Sequence, residues 1–168
     1  MAIRRILTWP DQRLREVAEP VTEWSENVST LIEDMFETMY DDQGVGLAAT
    51  QIGVPLRIIV LDCGLEQREP IAMINPVIES CEGETTFMEG CLSVPGLRAE
   101  IDRAETITVT FQDANGMQQS LTTTSLLAIC VQHEIDHLNG KLYFEHLPPF
   151  EQKAFLNAYA DAQKETKI

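Results

Sequence analysis

The segment Leu126-Leu127-Ala128-Ile129-Cys130-Val131-Gln132-His133-Glu134-Ile135-Asp136-His137 constrains the chain more than any other. Leu126 to Asn139 is helical by pattern, Thr124 and Ser125 are both able to cap it, and Gly140 ends it. Before His133 the helix is apolar on nearly every face, so it has to be covered on most sides. Burial then carries two imidazoles and a carboxylate inward, where such groups are tolerated only with partners. Residues four apart on a helix stand one above the other, about 6 Å along the axis. His133 and His137 can therefore grip one metal ion, with Glu134 on the same flank as a general base toward water. Two solvated histidines without a metal are the weaker reading of so apolar a helix.

Around this helix the periodicities change. From Ser25 to Asp42, the residues Val28, Leu31, Ile32, Met35, Phe36, Met39 and Tyr40 mark a one-faced helix that stops before Gly44. Three extended runs rich in Ile and Val follow, Leu56 to Asp62, Ile71 to Ile78 and Glu105 to Phe111. Asp113-Ala114-Asn115-Gly116 reads as a hairpin turn that lets Met117 to Thr124 pair back. Leu142 to Phe144 is strand-like, and a last helix runs from Pro149 to about Lys164. The expected fold is α+β: antiparallel strands packed around a central metal-binding helix, with an N-terminal amphipathic helix and a C-terminal helix. Its 168 residues suit a single catalytic domain over 1–168.

Asp and Glu number 27 against 12 Lys and Arg, a formal charge of -15, which repels phosphate backbones and anionic lipid and disfavours DNA or a membrane surface as partner. Between Glu16 and Leu56 there are nine acidic residues and no basic one, read here as a solvated helix face. The arginine pair Arg4-Arg5 is followed only by Ile6-Leu7 before Thr8 and Pro10, which does not make a signal peptide, and no apolar run approaches the ~20 residues of a membrane span. A cytoplasmic setting is expected, with Cys63, Cys81, Cys91 and Cys130 as free thiols or metal ligands.

Two histidines leave a metal short of a third protein ligand. Cys130 shares the helix but lies about 7 Å along the axis from the midpoint of the pair, too far for a thiolate ligand. A metzincin would need histidine where Tyr143 stands. His146 is a weak candidate, and Glu145, Glu151 and Glu165 suit a returning zincin glutamate poorly. Cys91, beside the flexible Gly90, and Cys63, at the end of a strand, remain open on spacing alone.

Gly44-Val45-Gly46-Leu47-Ala48-Ala49-Thr50-Gln51, Glu89-Gly90-Cys91-Leu92-Ser93 and Gln132-His133-Glu134-Ile135-Asp136-His137 resemble, in order and separation, the three motifs of the peptide deformylase family, over about Arg4 to Pro149. The resemblance implies a metal-dependent hydrolase that removes the formyl group from N-formylmethionyl peptides. Cys91, His133 and His137 would hold the metal, implied to be Fe2+, with Zn2+, Ni2+ or Co2+ as replacements. Glu134 would be base and acid, and Gln51 with the Leu92 N–H would hold the oxyanion. Gly46 and Gly90 would line the cleft, Gly44 would end the first helix, and Val45, Phe87, Leu126, Ile129 and Cys130 would form the methionine pocket. Phe87 and Met88 stand where smaller or polar residues are common in the family. Arg98 matches a cleft arginine and reads equally as a surface salt bridge, while Asp136 is expected to orient a supporting group. The resemblance also implies ribosome contact through a basic C-terminal helix. Here Lys153, Lys164 and Lys167 balance Glu151, Asp161 and Glu165, so that contact is expected to be weak or absent. A zinc endopeptidase and a non-catalytic relative with a structural metal site are the competing readings.

Overall fold

The computed structural model describes residues 2–165; Lys167, counted in the C-terminal charge balance, lies outside them. Helix α1 (Glu26–Asp41) leads into the short strand β1 (Gly46–Ala48), and β2 (Ile58–Asp62) and β3 (Pro70–Glu82) follow. Next come β4 (Thr85–Cys91) and β5 (Val94–Arg103), then β6 (Thr106–Gln112), β7 (Gln118–Thr124), α2 (Ser125–Leu138) and α3 (Pro149–Glu165). Strands β1-β2-β3-β6-β7 form one sheet in that order with every pairing antiparallel, and β4 and β5 form a separate hairpin. The α+β expectation holds.

Strand β2 shows why the fold closes as it does. Its Ile58 and Val60 turn to α1, joining Leu31, Ile32, Met35 and Met39, while Ile59 and Leu61 turn the other way onto Ala128, Val131 and Ile135 of α2. A strand between two helices needs apolar side chains on both faces, which explains an Ile-Ile-Val-Leu run without alternation. Each such fully buried side chain contributes about 1.5–3 kcal/mol. Strand β6, by contrast, buries only Ile107, Val109 and Phe111, and its threonines face outward. A third core forms under the hairpin, where Val94 and Ile101 meet Tyr143, Phe144 and Tyr159. Helix α2 thus lies between the sheet and the hairpin, with its C-terminal half facing both.

Several local expectations are corrected. Residues 85–103, given no strand above, form the β4–β5 hairpin. Strand β3 runs on to Glu82 because two register shifts against β6 keep its polar end paired. Leu142 to Phe144 is not a strand, since Tyr143–His146 closes a 3-10 turn. The Thr124 hydroxyl caps nothing on α2; it donates to the Glu105 carbonyl at 2.9 Å. After α1 the left-handed residue is Gln43, with φ 57°, while Gly140 at φ 75° ends α2 as expected. The acidic stretch is not wholly solvated, because Asp34 is buried and accepts from Arg4 Nη2 at 2.8 Å. No described helix is long and apolar enough to cross a membrane.

Candidate active site

Helix α2 presents His133 and His137 on one buried face, one turn apart. Across from them β4 ends at Cys91, where the hairpin register breaks after Gly90 and Leu92-Ser93 make the turn to Val94. The ligand atoms of Cys91, His133 and His137 all lie within 4.8 Å of one another, with Cys91 Sγ 3.3 Å from His137 Nε2. Among the described residues this is the group of His, Cys, Asp and Glu that could hold a metal. Cys63 is not in it; its half-buried thiol packs against the core cluster that contains Cys130. His146 is not in it either, and bonds Asp136 Oδ2 at 2.8 Å.

The histidines are held from behind. His133 Nδ1 donates to Glu89 Oε1 at 2.9 Å, which leaves Nε2 free to ligate. Arg103 forks the same carboxylate, Nε to Oε2 at 2.7 Å and Nη2 to Oε1 at 2.9 Å, and its Nη1 donates to Asp136 Oδ2 at 2.7 Å. Against the upward push of burial, Arg103 and His133 hold Glu89 below the ordinary carboxylate range, so it stays an acceptor. Burial drives His137 well below the ordinary imidazole range, whereas at His133 burial is outweighed by the Glu134, Cys91 and Glu89 side chains, which raise it well above, so a metal entering there would displace a proton. One thiol and two imidazoles, one of them backed by a carboxylate, fit a divalent ion such as zinc or ferrous iron.

Glu134 lies beside these donors. Burial pushes its carboxyl up to about 7, and Oε1 is buried without a hydrogen-bond partner. The backbone at Gly46 makes room for it: a Cβ there would stand 2.6 Å from Glu134 Oε2. At Gly44 a Cβ would meet Leu92 Cδ1 at 2.7 Å, so that glycine serves the approach of the hairpin as well as the end of α1. Gln51, in the turn after β1, is pinned at both ends of its amide. Its Oε1 accepts from the Ala48 N–H at 2.9 Å, and Nε2 donates to Ser93 Oγ at 3.0 Å while pointing toward Cys91 Sγ at 3.7 Å. Leu92 is an inner residue of the hairpin turn, so its amide stands outside the strand ladder.

All of this opens into one cleft of about 760 Å³. The loop before β1 contributes Val45 and Gly46, the hairpin Phe87, Gly90 and Arg98, and α2 Leu126, Ile129 and Cys130. The residues that the resemblance assigned to the metal, the chemistry and the methionine pocket thus line this cleft, with His137 joining them through the donor group, whereas Cys63 and His146 stand outside it. The structure adds Glu89, Arg103 and Ser93 as supporting groups. Glu89 and Ser93 stand within a motif already quoted, and the alternation of Ala99, Ile101 and Arg103 marks the arginine as inward-facing.

The model of the family described as polypeptide deformylase matches residues 3–153. The chain belongs to the peptide deformylase family. Members of this family are metal-dependent hydrolases that remove the N-formyl group from nascent peptides. A peptide deformylase of Pseudoalteromonas translucida is 47% identical over 153 residues, covering 91% of this chain and 92% of the relative. One from Neisseria meningitidis is 46% identical and covers 99% of each. The crystal structure of a Legionella pneumophila peptide deformylase superposes with a TM-score of 0.93 at 48% identity, covering 98% of both chains. That of the Ehrlichia chaffeensis peptide deformylase in complex with actinonin gives 0.92 at 37% identity and covers 100% of each.

Proposed function

We propose that this chain, acting as one catalytic domain in the cytoplasm, hydrolyses the formyl amide of N-formylmethionyl peptides to formate and a free amino terminus. In this reading Cys91, His133 and His137 hold one divalent metal, and Glu134 is general base and acid. The observation that carries it is the meeting of those three donors within 4.8 Å beside a cleft that Cys91, His133 and Glu134 line. Thiolate and imidazole ligands suit zinc or ferrous iron; the family resemblance favours Fe2+ as the resident ion, with Zn2+, Ni2+ or Co2+ able to replace it.

A bound divalent ion supplies Lewis acidity, lowering the pKa of water toward ~7 and polarising the formyl oxygen. The chain does the rest. Glu134, its carboxyl raised to about 7 by burial, takes a proton from the attacking water as the new C–O bond forms at the formyl carbon. Gln51 Nε2 has a second N–H beyond the one given to Ser93, and with the Leu92 N–H it stabilises the negative charge growing on the formyl oxygen. As the C–N bond breaks, Glu134 hands the proton to the leaving amine and formate departs. The apolar pocket of Val45, Phe87, Leu126, Ile129 and Cys130 takes the methionine side chain, and Gly46 and Gly90 leave space for the peptide backbone. The helix from Pro149 has no net basic face, so ribosome contact is weak or absent, and DNA is not a partner.

The deciding experiment gives the metal-loaded protein formyl-Met-Ala-Ser and, separately, an unformylated peptide of similar length. Formate from the first with no cleavage of the second supports the reading. Cleavage of an internal bond would make the chain an endopeptidase, and a tightly held metal without turnover of either would make the site structural.

A further inference from the structure

The cleft has an apolar mouth that the chemistry at the donor cluster does not require. Three large apolar side chains line it while well exposed: Val45 at 44%, Phe87 at 40% and Met88 at 46%. Val45 comes from the loop between α1 and β1, and the other two from β4.

Strand register separates the two β4 residues. Glu89 reaches His133, so the face of β4 that carries Glu89 and Phe87 fronts α2. Phe87, about 7 Å back along the strand, stands toward the turns of α2 that hold Ile129 and Leu126, and so belongs to the methionine pocket. Met88 takes the opposite face with Gly90, and its partner across the hairpin is Glu100, while Gly90 faces Arg98. Met88 is thus outside the methionine pocket and still part of the cleft wall.

A peptide with its formyl carbon at the donor cluster and its methionine in the pocket leaves through this mouth, past Val45 at the rim of that pocket, so the residues after methionine meet Met88. Exposed apolar surface is better covered by apolar side chains than by charged ones. Asp42 and Glu89 outnumber Arg98 among the charged residues that line the cleft, and the chain carries -15, which adds a penalty for carboxylates. We propose that Met88 is a specificity-determining residue which makes the enzyme favour N-formylmethionyl peptides with apolar residues directly after methionine and disfavour acidic ones. This inference rests on the deformylase reading above.

The test compares kcat/KM for formate release from formyl-Met-Leu-Leu, formyl-Met-Ser-Ser and formyl-Met-Asp-Asp at constant salt, for the native chain, Met88→Gln and Met88→Glu. The native enzyme is expected to favour Leu-Leu over Ser-Ser about fivefold, with Asp-Asp last. That ratio should fall toward one in Met88→Gln and further in Met88→Glu. Being taken within each protein, it does not depend on how much of a variant folds. A native ratio near one, or the native ratio kept in both variants, overturns the inference. Preference for Asp-Asp also overturns it, and would assign selectivity to Arg98. No formate from any of the three peptides overturns the deformylase reading itself, and this inference with it.

Discussion

Glu89 Oε1 lies 2.9 Å from His133 Nδ1, and the same carboxylate is forked by Arg103. A candidate metal ligand is therefore oriented by a buried acceptor whose own position is fixed by a guanidinium. Removing that acceptor in Glu89→Ala should lower metal affinity roughly 10- to 100-fold, because the imidazole loses both its orientation and the added basicity. Glu89→Gln, which keeps an acceptor oxygen, should fall between. Competition against a chelator, followed by metal analysis, measures this; native affinity in Glu89→Ala would show that the support is dispensable.

Gly46 and Glu134 form a second such pair. A methyl group on Gly46 would lie 2.6 Å from Glu134 Oε2, and β1 is held in register by β2, so the carboxylate has to yield. Gly46→Ala should leave the metal bound and cut kcat at least about tenfold, by misplacing the base. Glu134→Gln keeps the shape but cannot take the proton, and should lose ~10² or more. Full metal content with unreduced turnover in Glu134→Gln would end the general-base assignment.

How legible these arrangements were depends on what each segment faces. Helix α2 declared itself because its apolar surround and its two histidines agree on one buried element. Strand β6 did so because only one of its faces is buried. Strand β4 gave no period-two pattern, since it turns the charged Glu89 inward and leaves Met88 at the cleft. Arg103 shares the inward alternation of Ala99 and Ile101, but the carboxylates it joins come from β4 and α2, so its partners are not written in the local pattern. Cys91 and Cys63 could not be separated by spacing for a related reason. The thiol that meets the histidines is delivered by a hairpin folding across the helix, a long-range packing event that local pattern does not encode.

That choice between thiols has a direct consequence. Cys91→Ser should weaken the metal or change which metal is held, whereas Cys63→Ser and Cys130→Ser should retain it, since those two thiols belong to the core between α2 and the sheet and not to the donor group. Metal content after dialysis reads the difference. Loss confined to Cys63→Ser would mean that the wrong thiolate was assigned.

The C-terminal helix carries a prediction about ribosomes. Affinity for a polyphosphate surface comes largely from cations that displace counterions, and the segment from Phe150 onward has no net positive charge on a chain already at -15. Co-sedimentation with ribosomes should therefore be weak at physiological salt. Tight, strongly salt-dependent binding that disappears when this segment is deleted would refute the charge argument.

Acid should destabilise the fold through Asp34. Its carboxyl accepts from Arg4 Nε at 2.9 Å and from the Ala2 N–H at 2.7 Å, and the Arg4 bond above all holds it below the ordinary carboxylate range. A group whose pKa is lower folded than unfolded contributes stability that is complete above the unfolded value, near 3.9, and is lost as pH falls through the folded one. The melting temperature should thus decline from about pH 4 downward, with Asp113, lowered mainly by its bond from the Met117 N–H, acting in the same direction. In Arg4→Gln the Asp34 carboxyl loses the guanidinium that contributes most to its shift, and its folded pKa rises toward the unfolded one. The variant should start less stable at neutral pH and lose less between pH 4 and pH 3 than the native chain. Parallel acid limbs for the two proteins would show that the Arg4–Asp34 pair contributes nothing to the pH dependence.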